Sequence, residues 1–581
     1  MRYVLFATAG HVDHGKTTLI KTLTGIDTDR LPEEKRRGLS IDIGFAYLDF
    51  PEADLRVEII DVPGHERFIK NAIAGLSSAE GVILVVDSTE GVMDQTVEHL
   101  KVAKHLGVER GVAVLTKVDK AGPDLVSVAE EEVRDLLRSE GLDLPVVRFS
   151  AKTGEGVETL KERIKEAGIE ILKLREERPL RILVDSAFTV KGHGTVLRGS
   201  CVEGYVEEGE RVVVEPVGVE ARVRRIQNHG EFVKKVEAGE RVALNLPEVE
   251  RGSVERGFWV LKPDTYFTSR VLIVRTDAKV KPSQLHYLFF GMREVRGRLS
   301  PVEDDVYILR TEEPVVARRG DRVAILNSEG RLLGGGTVLH PRVRITKKGF
   351  IRENLKDLIE SFDDYVLKES GSEGIRPSTI KKLTGKDPDQ KVFAERGVKV
   401  GDRFYSKEYV ENLIRKVSRF LEERVSPYGV SKDLLRDKFG ITEEMVGYII
   451  RRTGRFRIVE NLILDESRTD LTALPQFRRL MEILEADIRE EREVLEEGVP
   501  KEILSLAVRK KYVHRIGEYL LLSDGLLKRM VERLRNLGPS FTVQEAKACL
   551  GLTRKYLIPL LEYLDYLGLT SREGNVRRWR R

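Results

Sequence analysis

A phosphate loop decides what the first third of this chain can fold into. Gly10-His11-Val12-Asp13-His14-Gly15-Lys16-Thr17 matches G-x-x-x-x-G-K-[ST]. The apolar run Tyr3-Val4-Leu5-Phe6-Ala7 precedes it, and Thr18-Leu19-Ile20-Lys21-Thr22-Leu23, with helical spacing, follows it. Strand, glycine loop and helix in that order form an anion cradle, because backbone N–H groups and the positive end of the helix face the same point. In such a cradle Lys16 reaches the outer phosphates and the Thr17 hydroxyl holds Mg²⁺.

Residues 57–61 read as a buried strand ending in Asp61-Val62-Pro63-Gly64, a D-x-x-G. Alone, that is a strand followed by a turn. Two further apolar runs follow, Val82-Ile83-Leu84-Val85-Val86-Asp87 and Gly111-Val112-Ala113-Val114-Leu115-Thr116, the latter continuing into Lys117-Val118-Asp119. Val146-Val147-Arg148-Phe149 then runs into Ser150-Ala151-Lys152. Helical stretches separate these strands, which predicts an α/β domain with a mostly parallel sheet covered on both faces.

Phosphate loop, D-x-x-G, T-K-x-D and S-A-K in this order resemble the translational GTPase family. The resemblance implies GTP and GDP as ligands, with Mg²⁺. It places Asp13, His14, Gly15, Lys16, Thr17, Thr18, Asp61 and Gly64 around the phosphates. Thr116, Lys117, Asp119, Ser150, Ala151 and Lys152 surround the base. Asp119 would grip guanine with both oxygens, and Ala151 would offer its N–H. Thr116 stands where the family has Asn, which implies a weaker hold on guanine. By composition residues 31–42 are a charged, solvated stretch, but Arg37-Gly38-Leu39-Ser40-Ile41 resembles the R-G-[IM]-T-I switch of elongation factors. That makes Ser40 a Mg²⁺ ligand beside Thr17 and Asp61. Pro63-Gly64-His65 resembles the P-G-H in which the histidine positions the attacking water, with Val12 and Leu39 as its apolar shield. The implied activity is a GTPase, slow alone and stimulated by the ribosome.

Bulk properties exclude several classes. A formal net charge of +4 gives no global field toward nucleic acid, so such contacts must come from local clustering. Cys201 and Cys549 have no C-x-x-C partner, which argues against a disulfide framework or a zinc site. Apolar runs stay shorter than the ~18 residues that span a bilayer. A cytoplasmic monomer without membrane contact is expected.

After Pro179 the pattern becomes all-β. Glycines at 192, 194, 199, 204, 209, 218, 230 and 239 break short β-rich runs, and a second such region covers roughly residues 269–340. Two small barrels are predicted. Gly192-His193-Gly194-Thr195-Val196-Leu197-Arg198-Gly199 resembles the G-x-G-T-V-x-x-G of elongation factor Tu's second domain. Carried across by motif, an aminoacyl pocket falls on Phe45, Asp185, Ser186 and Arg241. Elongation factor Tu has a neutral amide at the Arg241 position. An arginine suits an anionic side chain, and a selenol ionises more readily than a thiol, whose reference pKa is ~8.5. The alternative is that Arg241 only makes an ion pair with Glu240 or a neighbour.

Beyond Pro341 helices dominate and a module repeats. Short β runs flank turns at positions 402, 461, 518 and 575, spaced by 59, 57 and 57 residues. Three helical segments followed by a hairpin make a winged helix. In the last copy Thr542 to Leu550 and a second helix opened by Arg554, Lys555 and Tyr556 form a helix-turn-helix. Residues 572–581 hold five Arg and one Glu, a net +4. Such concentration is a footprint for phosphates, and Arg572, Arg577, Arg578 and Trp579 join the RNA-binding candidates.

The whole architecture resembles the bacterial selenocysteine-specific elongation factors. It implies a GTP-binding domain (1–176), two β-barrel domains (177–264 and 265–345) and four winged helices (346–406, 407–467, 468–523 and 524–581). The implied partners are selenocysteinyl-tRNA, an mRNA hairpin (SECIS) and the ribosome at UGA codons. A general aminoacyl-tRNA or initiator-type carrier, and a GTP-gated DNA-binding regulator, remain the alternatives.

Overall fold

The computed structural model describes residues 1–28, 43–64, 69–282, 284–424, 429–465, 467–468 and 470–580. The chain divides into two compact units, residues 1–369 with 375–393 and residues 370–374 with 394–581. Among the described residues no helix is long and apolar enough to cross a membrane.

The first unit opens with strands β1 (Arg2–Ala9), β2 (Gly44–Phe50), β3 (Leu55–Asp61), β4 (Gly81–Asp87), β5 (Arg110–Thr116) and β6 (Val146–Arg148). They lie in the order β2-β3-β1-β4-β5-β6, parallel except for β2, which pairs antiparallel with β3 at the edge. The helices are α1 (Lys16–Thr24), α2 (Ile69–Leu76), α3 (Asp94–His105), α4 (Pro123–Glu140) and α5 (Val157–Leu174). Successive residues of a strand serve opposite faces. Leu5, Ala7 and Ala9 therefore pack with Ile73, Leu100 and Val133 of α2, α3 and α4. Val4 and Phe6 pack with Leu19 and Ile20 of α1 and Ile164 of α5. Parallel strands buried on both faces explain the unbroken apolar runs.

Of the two predicted barrels, the second closes and the first does not close its ladder. The first β domain is an eight-stranded antiparallel sheet built on the hairpin Arg181–Val190 and Gly194–Glu203. A two-stranded ribbon, Tyr205–Glu207 with Lys235–Glu237, completes it around Val184, Leu197, Val212, Ile226 and Leu244. The second is a closed barrel of six strands between Phe267 and His340.

Buried polar contacts lock these three parts together. The Arg175 guanidinium, just past α5, donates to Glu80, to Tyr3 O at 2.7 Å and to Ala238 O at 2.8 Å. Gly239 follows at φ +98°, where a Cβ would stand 2.1 Å from Tyr3 O, so only glycine lets the backbones meet. Arg181 of the first β domain pairs bidentately with Asp321 of the barrel at 2.8 and 2.9 Å, and its guanidinium lies 4.2 Å from the Trp259 ring centre.

The second unit holds repeated hairpins, Gly397–Val400 with Arg403–Ser406, Phe456–Val459 with Leu462–Asp465, Val513–Ile516 with Leu520–Ser523, and Thr570–Glu573 with Val576–Trp579. Each turn opens with a residue of positive φ, namely Gly401, Glu460, Gly517 and Gly574, as tight hairpins demand. Side-chain caps start helices of the second and fourth modules, from Ser431, Thr442, Ser523 and Thr542, the last in a capping box with Glu545. One hydrophobic core joins Ile488, Ile516, Leu520 and Leu522 of the third module to Leu527, Phe541, Leu557 and Leu561 of the fourth.

Candidate functional site

The phosphate loop is shaped by positions that tolerate little else. Gly10 has φ +137°, and a Cβ there would sit 2.2 Å from Val85 O. Gly15 has φ +88° and starts α1 with no side-chain cap, the arrangement in which a helix N-terminus suits an anion. Lys16 Nζ donates to Gly10 O at 3.0 Å and His11 O at 2.7 Å, and burial lowers its pKa to about 8. Thr17 Oγ1 donates to Asp61 Oδ2 at 2.8 Å. Asp61 also accepts from Thr28 at 2.6 Å and Thr8 at 3.1 Å, and burial raises its pKa against those bonds. Gly64 passes so close that a Cβ would meet Lys16 Nζ at 2.2 Å and Val12 N at 2.8 Å. A carboxylate beside hydroxyls is an all-oxygen donor set, which fits Mg²⁺ completed by phosphate oxygens. Ser40, Leu39 and His65 lie outside the described residues. Thr18 stands exposed in the first turn of α1.

Supports for this loop come from residues that the motifs do not contain. His99 of α3 is 1 % exposed, and its Nδ1 accepts from Gly10 N–H at 3.2 Å. Burial pushes its pKa down to about 3, so the ring is neutral and accepts. His14 Nδ1 accepts from Asp87 N–H at 3.2 Å, and its Nε2 faces Glu90 at 3.2 Å. The available signal for His99 was its place on the inward stripe Thr96, His99, Leu100, Ala103 of α3, all buried.

At the base end, Ser150 Oγ donates to Asp119 Oδ1 at 2.7 Å and accepts from Lys152 N and Thr153 N. One hydroxyl thus shapes the S-A-K turn and aims the carboxylate, while Ala151 and Lys152 stand exposed. Thr116 turns inward, donating to His14 O at 2.7 Å. Its hydroxyl ties β5 to the phosphate loop. Lys117, at φ +59°, reaches Asp13 O at 2.7 Å and Asp87 Oδ2 at 2.6 Å.

The structure brings Phe45, Asp185, Ser186 and Arg241 together. Arg241 is 8 % exposed, with its guanidinium carbon 3.7 Å from the Phe45 ring centre. Its Nη1 donates to Asp185 Oδ2 at 2.5 Å and to Ser200 Oγ at 3.0 Å. Ser186 Oγ holds the other Asp185 oxygen at 2.8 Å. Glu240 pairs elsewhere, accepting from Asn228 Nδ2 at 2.6 Å. The arginine is therefore ion-paired, but with Asp185 inside the junction of β2 and the first β domain.

The last module corrects the expected RNA surface. Arg577 is 4 % exposed and bound to Asp565 at 2.9 Å, because its position on the hairpin faces the helix Arg554–Tyr566. Trp579 packs over Phe541 at 5.6 Å between centroids. Arg577 thus belongs to the module's interior, and Trp579 is half-buried against its core. Lys555 pairs with Glu490, and Arg578 with Glu573 at 3.1 Å. Arg554 and Arg572 are exposed, and Tyr556 is half-buried. Tyr566, absent from the motif, is 83 % exposed.

Comparison with known proteins covers the chain from end to end. The family model for the elongation factor Tu GTP binding domain matches residues 1–168. Those for the first, second and third winged-helix domains of elongation factor SelB match 345–401, 407–466 and 475–523, and a further SelB winged-helix model matches 532–579. The selenocysteine-specific elongation factor of Desulfomicrobium baculatum is 32 % identical over the full length of both chains. That of Escherichia coli is 28 % identical over 98 % of each. A crystal structure of a bacterial selenocysteine-specific elongation factor, EF-Sec, superposes with a TM-score of 0.80 at 56 % identity, covering all of both chains. Elongation factor SelB from Methanococcus maripaludis, in complex with the GTP analogue GppNHp, matches 58 % of this chain and 79 % of its own, with 28 % identity and a TM-score of 0.51.

Proposed function

Because the chain belongs to the selenocysteine-specific elongation factors, GTPases of the elongation factor Tu kind, we propose that it carries selenocysteinyl-tRNA to ribosomes at UGA codons as a cytoplasmic monomer. The last winged helix holds the mRNA hairpin through the exposed face of Arg554, Arg572 and Arg578.

GTP sits with its phosphates on the loop from Asp13 to Thr18 and its base against Asp119 and Ala151. Thr17, Ser40 and Asp61 would hold Mg²⁺, which neutralises charge on the phosphate oxygens. Lys16 exchanges its carbonyl partners for phosphate, and the nearby anion returns its pKa toward the usual lysine range. His65 orients the attacking water, so hydrolysis waits on a partner that positions this side chain. Phe45 comes from the strand that follows the first switch, so nucleotide state and the aminoacyl pocket share one segment.

Arg241 carries the selenocysteine reading. Its buried guanidinium lies against Phe45 and pairs with Asp185 at the junction of β2 and the first β domain, which supports an acceptor end docking there. An ionised selenium side chain gains a charge-assisted contact there, and the neutral hydroxyl of a seryl precursor does not. Titrating the GTP-bound protein with selenocysteinyl- and seryl-tRNA tests this, and equal affinities would remove it.

A further inference from the structure

We propose that a cavity where the nucleotide domain, the first β domain and the barrel meet binds a small organic anion, an acid group carried on a body of about one ring. The cavity has a volume of about 240 Å³. That is a little under the ~300–1,000 Å³ of typical ligand pockets, so its ligand is smaller than a nucleotide. The ends of α2 and α3 reach it through Ser77 and Leu106, which carry no charge. Every charge on its wall, among the described residues, comes from the two β domains: Arg181 and Glu203 from the first, and Arg318, Asp321 and Arg322 from the barrel.

Three guanidiniums face two carboxylates there, and the pairing leaves donors over. Asp321 takes both Arg181 Nη groups at 2.8 and 2.9 Å and stands 3.4 Å from Arg318 Nε. Glu203 takes Arg318 Nη2. Arg181 Nε is buried with no acceptor among the described residues, and a buried donor without a partner is costly. Arg322 is exposed and has no carboxylate partner among the described residues. Its Nη1 donates to Thr337 Oγ1 at 2.8 Å, and its Nε lies over Gly107, where a Cβ would stand 3.4 Å away. Burial pushes the Glu203 carboxyl up to about 7; Asp321 adds to the rise, while Arg181, Arg178 and a hydrogen bond from Tyr266 oppose it. Three minus two leaves one excess positive charge on the wall, and a protonated Glu203 makes it two. Trp259, Phe290 and Val316, all buried, complete the wall with apolar surface. Guanidinium forks suit a carboxylate or a phosphate, and the apolar side suits a ring. Such an occupant touches all three parts of the first unit at once and holds them in one arrangement.

The full-length Trp579→Phe variant keeps Trp259 as its single tryptophan, so its emission reports on the cavity. With GDP and Mg²⁺ saturating the phosphate loop, it is titrated with benzoate, phenyl phosphate, acetate and benzyl alcohol. Benzoate and phenyl phosphate should each give a saturable change, and the tighter of the two identifies the acid group. Acetate should bind far more weakly, and benzyl alcohol should have no effect. Adding Arg322→Gln should weaken benzoate about tenfold, the loss of one charged hydrogen bond. GDP affinity and melting temperature should stay as they were. Benzoate is ionised at both pH 6 and pH 8, so a protonated Glu203 should make its affinity up to about tenfold higher at the lower pH. Glu203→Gln should remove that difference. The site is overturned by the lack of a saturable response to either anion, by a response that benzyl alcohol reproduces, or by one that Arg322→Gln leaves at full strength. The cavity would then hold water alone, and the tRNA reading would stand unaffected.

Discussion

Arg241→Gln is expected to abolish the preference for selenocysteinyl over seryl acceptors while leaving GTP binding intact. Two unit charges about 4 Å apart attract by roughly 4 kcal/mol at an effective dielectric of 20. Asp185 already accepts from this guanidinium at 2.5 Å, so an entering selenolate shares the charge rather than meeting it whole. Taking half leaves roughly 2 kcal/mol, or about thirtyfold in affinity. Glutamine keeps a planar donor and removes the charge, which brings the two acceptors to within about threefold. Asp185→Asn acts in the opposite direction, releasing the guanidinium and strengthening binding of the anionic acceptor. Cysteinyl-tRNA supplies the decisive assay because its thiol changes charge in an accessible range. With a reference pKa of ~8.5, the thiolate is a minor species near pH 7 and dominant near pH 9. Cysteinyl affinity should therefore climb across that interval in the wild type, stay flat in Arg241→Gln, and stay flat for seryl-tRNA in both proteins. An equal climb in both proteins, or discrimination that survives the glutamine, would refute the electrostatic argument.

Other expectations follow from the nucleotide site. His65→Ala should reduce ribosome-stimulated hydrolysis by ~10² or more, with nucleotide affinity within a few-fold of wild type; turnover close to wild type would discard that assignment. His99→Ala leaves the Gly10 N–H without its acceptor, a penalty of about 1–3 kcal/mol, read as weaker GDP and GTP binding in an equilibrium titration. His99 also carries a pH signature. Its pKa is about 3 when folded against 6.5 as a free side chain, so on acidification below pH ~6.5 the unfolded chain takes a proton that the folded one refuses, and stability falls. His99→Gln should flatten that part of the stability curve in denaturant titrations at several pH values. Thr116→Asn should slow GDP dissociation by restoring a base-edge amide, and an unchanged off-rate would mean that the inward hydroxyl of Thr116 serves only the loop.

The parts of the fold that the sequence announces are those encoded by local chemistry. Gly10 and Gly15 mark backbone conformations that other residues strain to adopt. The apolar runs at 82–87 and 111–116 declare strands buried on both faces, and the recurring turns at 402, 461, 518 and 575 declare a repeated module. Side-chain direction is harder to read. Arg577 sits one residue from Arg578 in a strand, so alternation alone sends one inward and one outward, and composition cannot say which. Thr116 looks like a lost base contact until the packing of β5 against His14 O is known. His99 is brought to Gly10 by a tertiary contact across 89 residues of chain, which no short motif contains. Barrel closure likewise depends on the two edge strands meeting, and the glycine spacing is similar whether or not they do.

The hydrophobic core common to the third and fourth modules separates repeat from folding unit. A fragment beginning at Asp524 would keep every helix and strand of the final repeat, yet lose Ile488, Ile516, Leu520 and Leu522 from its interior. Such a piece should aggregate, while one beginning near residue 468, which keeps the third module's own core of Leu480, Leu484, Val494 and Ile503, should stay monodisperse and melt in one step. The sequence repeats in single modules, but heat should dissolve these last two together.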